Sequence, residues 1–481
     1  MFRNWWYNYK LRWGGGAMGR QKYQKLFVLP DQTARLAIPE LAVIKDNAPI
    51  ASYEVVHQRY FSGGYPICPK CGGTNTRPLK VVDRQLKDIV GRQEKASDVI
   101  DLIFHQRYYR CLTCGNRVFP EKVSFAEPGV HFTNRLSDIL ADGTLLQSYE
   151  KVCKEYGVPA SKASVGSIMR RRLQFRMNQL PPLKTPRAIA IFVVRFYREE
   201  YPVILSLDDH TVRFIDILPG SSAAAYSAFF SGLDRSQVKE ILIDPDEQLL
   251  SSTHTAFPNS IIAVSKECIQ RFTRKAFKEV FQAEAKHCTV PRLYSSLVNP
   301  EKFLREEDHE RIERVMRKRP RLHAAYIAYQ DLLNSLEGKW NVEKLQEWAG
   351  SMPDYLEEYA EGKPVDPIKE FDIISDILTL FRNEVNQYLS LQEDPAPSLA
   401  ASTAAIEEAL ANMPYCIYDV LQARMLLNTP NELIEIGDKT YRLGIPIDQL
   451  VSKIYDVNEM IRQKRENDRD GYDTENESSG H

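Results

Sequence analysis

Four of the eight cysteines form two close pairs, and a glycine follows each pair. The pairs are Cys68 with Cys71 and Cys111 with Cys114. A C-x-x-C turn places two thiolates on one side of a metal ion, and the glycine after it permits a tight bend. Two such turns complete a tetrahedral zinc site that leaves no position for water. The spacing therefore predicts one structural zinc ion per chain, against the alternative of four unligated buried thiols.

The segment between the two pairs is longer than in a usual zinc ribbon. Val81–Ile100 is polar, and we interpret it as a looped-out insertion. His105 lies in the strand-like run DLIFHQRYYRC and is interpreted as a partly exposed strand residue rather than a fifth ligand. The other cysteines, such as Cys153 and Cys268, show no pairing pattern and are assigned to packing.

A basic cluster on a predicted helix follows the cysteine pairs. Leu136 starts one apolar stripe, and residues from Leu145 to Tyr156 form a second at spacings of three and four. Gly157 then interrupts the pattern, and Ser161 can cap a new helix. A helix, a glycine turn and a second, basic helix match the helix-turn-helix plan, whose second helix enters the major groove of DNA. The alternative is an ordinary helical pair with a solvated basic face. The predicted DNA-binding residues are Lys162, Arg170, Arg171, Arg172 and Arg176.

Strand-like and helix-like runs alternate in the segment that follows Pro181 and Pro182. Their order, β-β-β-α-β-α-β, is that of a ribonuclease-H-like fold. The predicted strands are Ala188–Phe196, Tyr201–Leu207, Val212–Leu218, Val238–Ile243 and Ser260–Val264, and the predicted helices are Ser221–Leu233 and Asp246–Thr255.

Together these elements predict a multidomain chain with α/β and all-α parts. The expected order is an N-terminal lead-in (1–60), a zinc ribbon (61–125), a helix-turn-helix domain (130–180), a ribonuclease-H-like core (187–295), a helical insertion (296–390), a helical C-terminal part closing the core (391–457) and a disordered tail (458–481).

The composition limits where nucleic acid can bind. The 63 Lys and Arg nearly balance the 64 Asp and Glu, so DNA contacts must come from locally basic elements. No apolar run reaches the roughly 18 residues of a membrane span, and the basic N-terminus lacks an apolar signal core. We therefore expect a cytoplasmic, nucleoid-associated bacterial protein with no membrane contact. Met18 is an alternative start.

The order of these motifs resembles the DDE transposases of the ISL3 insertion-sequence family. The resemblance covers residues from about 60 to about 430 and implies metal-dependent DNA strand transfer. The matching stretches are CPKCGG, HQRYYRCLTCGNRVFP, the basic helix pair, VKEILIDPDE, AFPNSIIAV, RPRLHAAYIAYQDLLNSL with LQEWAG, and YCIYDVLQARMLL.

In that family three carboxylates hold two divalent metal ions, which activate the attacking group and stabilise the leaving oxygen. Carried over by the resemblance, the first carboxylate falls at about Phe192 and Val193, and neither side chain can ligate a metal. The second falls on Asp244, which matches, and the third falls near Leu399. The family's Asp-x-Phe-His after the fifth strand is replaced here by the Val-Ser-Lys-Glu-Cys run 264–268, and its late basic stretch by Ile-Glu-Glu-Ala at 406–409.

Because several acid positions depart together, the sequence predicts an inactive or repurposed transposase that binds double-stranded DNA. Asp244 is then expected to face an apolar wall, or to cap the helix that follows it. An active transposase with displaced acids and Mg²⁺ is one alternative, and a protein-interaction scaffold is another. A homodimer and protein partners are both left open.

Overall fold

The computed structural model describes residues 34–36, 52–57, 66–89, 99–115, 117–127, 130–158, 162–285, 293–299, 303–337, 341–360, 364–391 and 398–478. The chain divides into two compact units, Met1–Gln179 and Leu180–His481. No helix among the described residues is both long and apolar enough to cross a bilayer.

A five-stranded sheet carries the two cysteine pairs in the first unit. Its order is β1-β2-β4-β3, and β5 pairs with β4 beyond the end of β2. Two of these strands fall in the expected N-terminal lead-in. The strands are β1 (Ala34–Leu36), β2 (Ser52–His57), β3 (Thr76–Ile89), β4 (Val99–Cys111) and β5 (Val118–Pro120).

The interpretation of Val81–Ile100 as a looped-out insertion is wrong. Residues 81–89 continue β3, and Val99 and Ile100 begin β4; residues 90–98 lie outside the described part. The two strands pair antiparallel from Thr76 with Cys111 to Ile89 with Val99. The polar composition misled because β3 is an edge strand: Leu86 and Ile89 are buried, while most residues before Leu86 are exposed.

A buried ion pair fastens this sheet to the helices that follow. Asp88 is fully buried at the end of β3 and accepts bonds from Arg135 Nε at 2.7 Å and Arg135 Nη2 at 2.5 Å. Thr133 Oγ1 also donates to Asp88, over 2.5 Å. A buried carboxylate is costly unless its oxygens accept hydrogen bonds, and both oxygens of Asp88 do so.

In the described part of the first unit, three helices follow the sheet: α1 (Asn134–Leu146), α2 (Tyr149–Glu155) and α3 (Lys162–Met177). The second predicted apolar stripe, from Leu145 to Tyr156, is divided between the end of α1 and α2, because Ser148 caps a new helix. Gly157 follows α2 with a φ of 56°, as a chain-breaking glycine should. Residues 159–161, including Ser161, lie outside the described part. Both predicted helices are present, while their function as a helix-turn-helix stays a prediction.

The second unit contains a seven-stranded sheet of order β10-β9-β6-β7-β8-β12-β11. β6 pairs antiparallel with β7 and parallel with β9, and β10 continues the parallel side. The order β-β-β-α-β-α-β predicted for residues 188–264 is confirmed. These elements are β6 (Ala188–Phe196), β7 (Glu199–Ser206), β8 (Arg213–Ile217), α4 (Ala223–Phe230), β9 (Glu240–Ile243), α5 (Glu247–Ala256) and β10 (Ile261–Ala263).

Helices account for most of the remaining chain, and a hairpin of β11 (Glu432–Ile436) and β12 (Lys439–Pro446) extends the sheet beyond β8. The helices are α6 (Lys266–Glu284), α7 (Leu293–Leu297), α8 (Glu306–Met316), α9 (Pro320–Glu337), α10 (Val342–Gly350), α11 (Met352–Ala360), α12 (Asp372–Leu380), α13 (Arg382–Leu389), α14 (Leu399–Ala411), α15 (Tyr418–Leu427) and α16 (Ile447–Ser478).

The tail expected to be disordered from residue 458 is helical as far as Ser478, so that prediction is wrong. Beyond Ile461, which is buried, the sequence has almost no apolar residues, but it is rich in Glu, Gln, Lys and Arg, which lose little side-chain freedom in a helix. Arg462 and Glu459 form an ion pair three residues apart, which supports the helix locally.

Candidate functional site

The four cysteines of the two predicted pairs converge on one point of the first unit. All four sulfur atoms lie within 4.8 Å of one another. Cys68 Sγ lies 3.6 Å from Cys114 Sγ, and Cys71 Sγ lies 3.6 Å from Cys111 Sγ. The geometry is that of a tetrad around a single ion, and the predicted grouping of these residues is confirmed.

Tight turns build each half of this cysteine tetrad. The Cys68 N–H donates to the Gly73 carbonyl at 2.9 Å, and the Cys111 N–H donates to the Arg117 carbonyl at 2.9 Å. Gly72 and Gly115 have φ angles of 69° and 74°, a region that favours glycine. The glycine after each pair therefore does what the sequence suggested.

The thiol groups of the tetrad influence one another strongly. Burial acts to raise the pKa of Cys111, but N–H groups of Cys114 and Thr113 and the neighbouring thiols outweigh it and lower the pKa to about 6. Burial and the adjacent sulfurs raise the pKa of Cys114 to about 12. The pKa of Cys68 is lowered as well, so the thiols ionise unequally, and thiolates already present oppose the ionisation of Cys114. A cation at the centre would remove that opposition.

His105 lies on β4 as predicted, and its Nδ1 is 2.7 Å from Asp83 Oδ1. It is not part of the cysteine tetrad. Cys153 and Cys416 are buried, in agreement with packing roles, and Cys288 lies outside the described residues.

The predicted DNA-binding side chains on α3 lie in different environments. Arg170 and Arg171 are exposed, and Arg171 Nη2 is 3.3 Å from Glu127 Oε2. Arg172 is mostly buried between Glu127 and Asp138, at 3.5 and 3.6 Å. Arg176 pairs with Asp142, and the side chain of Lys162 lies outside the described part. These cations share a helix, but three of the five, Arg171, Arg172 and Arg176, form ion pairs with acids of their own unit.

The positions assigned to the three family acids meet in one small pocket of the second unit. Phe192 lies on β6 and Asp244 directly follows β9; these strands are parallel neighbours, so their carboxyl ends share one sheet edge. Leu399 and Thr403 of α14 line the same pocket, whose volume is about 20 Å³. That volume holds about one water molecule. The carry-over of positions is therefore geometrically consistent, although only Asp244 is an acid.

A guanidinium group occupies the pocket beside Asp244. Arg271 Nη2 donates to Asp244 Oδ1, and Arg271 Nη1 lies 3.3 Å from both the Val193 carbonyl and Glu407 Oε1. The centre of the guanidinium lies 5.7 Å from the centre of the Phe192 ring. Arg271 thus touches both of the first two acid positions.

Two further groups donate hydrogen bonds to the carboxylate of Asp244. The Val193 N–H donates to Asp244 Oδ2 at 2.8 Å, and Cys268 Sγ donates to Asp244 Oδ1 at 3.4 Å. Burial, reinforced by the charge of Asp244, raises the pKa of Cys268, so this group stays a thiol and can donate. Burial acts to lower the pKa of Arg271, but the charge of Asp244 outweighs it and raises the pKa, so Arg271 stays charged.

Both expectations for the surroundings of Asp244 are wrong. Asp244 faces Arg271 rather than an apolar wall, and the cap of α5 is Asp246, whose Oδ1 accepts from the Leu249 N–H at 2.6 Å. The signal for Arg271 in the sequence is weak: it lies one helical turn after Cys268 and so shares its face of α6. No feature of the sequence near Asp244 predicted that Arg271 would be its partner.

Across the described ranges, the cysteine tetrad is the one group of three or more His, Cys, Asp or Glu whose atoms converge closely enough for a metal. Glu267 lines the Asp244 pocket, but it accepts from the Tyr388 hydroxyl at 3.3 Å and contacts Lys266. The acids that line the pocket are therefore Asp244 and Glu267, while Glu407 of α14 contacts Arg271 without lining the pocket.

Comparison with known families agrees with the resemblance seen in the sequence. Residues 194–371 match the model of a family described as transposase, the DDE transposases of the ISL3 type. A search of curated proteins found no match.

Proposed function

From the premise that residues 194–371 are those of an ISL3-family transposase, we propose that this chain binds double-stranded DNA and does not cut or join it at the Asp244 pocket. The observation that carries the proposal is the guanidinium of Arg271 in contact with Asp244. Strand transfer by this fold needs two divalent ions that lie roughly 3.5–4 Å apart, and converging carboxylates hold both ions. Here the guanidinium of Arg271 lies beside Asp244, where a metal ion would bind.

Electrostatics make this replacement self-consistent. A divalent cation next to Asp244 would lie against Arg271, and like charges in a buried site repel strongly. Arg271 satisfies the carboxylate without an ion, since Asp244 is only 4% exposed and its oxygens already accept from Arg271, Cys268 and Val193. Phe192 supplies an aromatic face to the guanidinium instead of a carboxylate to a metal.

We infer that the cysteine tetrad holds zinc. Four thiolates suit Zn²⁺, and four protein ligands leave no open position for catalysis. Zinc would fasten the turn of Cys68 and Cys71 to the end of β4, where Cys111 lies. The zinc ion would therefore stabilise the fold of the ribbon.

DNA binding is supported by the family and by local charge rather than by net charge, which is −1. Exposed cations on α3 include Arg170 and Arg171. Contacts of cations with phosphate give affinity that falls with salt, and they do not by themselves select a sequence.

An active transposase is the second candidate, and Glu407 favours it. Glu407 lies on α14, the helix that follows the third acid position, and it shares Arg271 with Asp244. If Arg271 moved away, Asp244 and Glu407 would both lose the cation that they share. This candidate needs a change in the structure that the first does not need.

One pair of experiments separates these functions. Fluorescence anisotropy with a duplex in increasing salt should show binding that weakens steeply as salt rises. Supercoiled plasmid incubated with the zinc-loaded protein and Mg²⁺ or Mn²⁺ should stay intact. Absence of duplex binding at low salt contradicts the DNA-binding proposal.

The Asp244→Asn variant is the matched control for cleavage. It keeps the size of the side chain and most of its hydrogen bonds, and its melting temperature reports whether the fold survives. Nicking by the wild type that disappears in a folded Asp244→Asn variant would establish the active-transposase alternative. Nicking that persists in the variant would come from elsewhere.

A further inference from the structure

One face of the sheet at the end of the first unit that carries the cysteine tetrad combines cations with exposed apolar side chains. Pairing places two rows across β3, β4 and β5. The first row is Arg77, Arg110 and Val118, and the second is Lys80, Tyr108 and Pro120. Side chains directly opposite on neighbouring strands lie on one face, so both rows share it. We call this surface, with its six residues, the ribbon face.

An irregularity in β3 brings the cations of the ribbon face together. The register shifts between Pro78 and Lys80, so that Leu79 is an extra residue in the strand. Arg77 and Lys80 are three residues apart and would lie on opposite faces of a regular strand. Bulges re-aim side chains in this way, and they are over-represented next to functional sites.

The ribbon face holds a pair of like charges, and none of its six residues is an acid. Arg77 lies directly opposite Arg110, and like charges in that relation destabilise a sheet. Arg110 Nε is buried and has no hydrogen-bond partner among the described residues. Lys80 Nζ lies 5.4 Å from the centre of the Tyr108 ring, which holds its stem against the sheet. The fold tolerates this arrangement without an acid on the same face to balance it.

The surrounding sequence is strongly biased. Described residues in 66–82 and 106–120 include no Asp or Glu, in a chain whose acids and bases otherwise balance. The cations in these ranges are Lys70, Arg77, Lys80, Arg107, Arg110 and Arg117.

Charge balance within the zinc site does not explain the ribbon face. A zinc ion with four thiolates is net negative, and cations near it are favourable. Cys111 is adjacent to Arg110 along β4, so its side chain points to the other face, where it packs with Tyr109 and Phe119. Arg77, Lys80 and Arg110 therefore point away from the thiolates.

We propose that the ribbon face binds the phosphate backbone of double-stranded DNA, as a second contact surface besides α3. The proposal rests on the proposed function, that this chain binds DNA. Three cations and a half-buried tyrosine on one face match a polyanion with regularly spaced phosphates. A pair of strands of this kind can lie against duplex DNA.

Anisotropy measurements in a salt series test the proposal on the full-length, zinc-loaded chain. The Arg77→Ala, Lys80→Ala, Arg110→Ala triple variant should bind the duplex at least about tenfold more weakly. Its salt slope should fall by roughly one unit for each phosphate that the variant no longer neutralises. A charge-matched control replaces three exposed cations of the second unit, Arg235, Lys275 and Lys278, with alanine. Zinc content should be the same in all three proteins.

A single substitution separates a binding role from a structural one. Arg77→Glu sets opposite charges across from each other, so its melting temperature should equal or exceed that of the wild type. Its duplex affinity should nevertheless fall further than that of Arg77→Ala. This combination is not expected of a residue that only supports the fold.

The outcomes distinguish the inference from its premise. If the wild type does not bind duplex DNA, both the proposed function and this inference are wrong. If the wild type binds and the triple variant or Arg77→Glu binds equally well, only the ribbon face is wrong. If the control variant is weakened as much as the triple variant, the effect is one of overall charge, and the inference is overturned.

Discussion

The cysteine tetrad and the Asp244 pocket are both places where distant segments bring groups suited to a cation together. In the tetrad, four sulfur atoms within 4.8 Å leave a centre that a metal can fill. In the pocket, the corresponding centre is filled by Arg271, a cation that the chain supplies itself. On the proposed function, the first site takes its cation from solution, and the second site does not need one.

If the pocket is inactive, as proposed above, a catalytic fold has lost its chemistry here and kept its structure. Removing metal ligands one at a time would leave a buried carboxylate without a cation, which is costly. An arginine on the neighbouring helix resolves this, because its guanidinium neutralises Asp244 and packs on Phe192. A positional match to one family acid is therefore not a sign of activity.

The largest expected effect comes from removing two ligands of the tetrad. Cys111→Ser with Cys114→Ser should abolish zinc binding and unfold the first unit, since a structural zinc contributes on the order of 10 kcal/mol of folding free energy. Elemental analysis and limited proteolysis measure both effects. Cys153→Ala, at a buried cysteine outside the tetrad, should keep its zinc. Zinc retained by the double variant would contradict the ligand assignment.

The next effect concerns the pair that replaces the metal. Arg271→Met should destabilise the second unit by about 3–5 kcal/mol, because it leaves Asp244 buried without its cation. Asp244→Asn combined with Arg271→Met should recover most of that loss. Denaturant unfolding of the single and double variants gives the coupling energy. A coupling near zero would mean that the two side chains do not depend on each other.

The pH dependence of the first unit should show a smaller effect, from Glu121. Burial raises the pKa of Glu121 to about 7, against the opposing bond from the Arg107 N–H, and its Oε2 has no hydrogen-bond partner among the described residues. A carboxyl whose pKa is raised on folding favours the folded state while protonated. That contribution is complete below the unfolded pKa of about 4.5 and is lost as pH rises through about 7.

The loss should amount to roughly 2 kcal/mol, after a discount for solvent screening. Unfolding of the zinc-loaded protein between about pH 4.5 and 7 tests it, because Glu121→Gln should flatten the pH dependence in that interval. Equal slopes in the wild type and in the variant would show that Glu121 does not titrate there.

The smallest expected effect per residue belongs to α3. Replacing Lys162, Arg170, Arg171 and Arg172 with alanine should weaken duplex binding and reduce the salt slope by about one unit for each phosphate left without its cation. Arg172 is expected to contribute least to binding, since it lies between Glu127 and Asp138. Unchanged affinity and slope in the quadruple variant would remove α3 from the DNA interface.

Local patterns predicted more of the fold than of the pocket. Apolar runs and turn residues predicted the order of strands and helices along residues 188–264. The doubled motif with a glycine after each pair predicted the cysteine tetrad. Both signals are carried by neighbours in sequence. The edge strand β3 was missed because a strand exposed on both faces lacks the alternation that marks strands.

Long-range pairings could not be predicted in the same way. Arg271 and Asp244 are far apart in the chain, and only the packing of α6 against the carboxyl ends of β6 and β9 brings them together. The absence of an acid at Phe192 was visible in the sequence, but the residue that compensates for it was not. Likewise, the helical end of α16 has no apolar pattern to announce it.

The central claim is that Arg271 holds the place of a metal ion at Asp244, and Mn²⁺ binding tests it most directly. Electron paramagnetic resonance can count bound Mn²⁺ on the zinc-loaded wild type and on Asp244→Asn, with circular dichroism to verify that both are folded. We expect the two proteins to bind Mn²⁺ equally and weakly, because Asp244 already pairs with Arg271. Tightly bound Mn²⁺ in the wild type that is lost in folded Asp244→Asn would contradict the account.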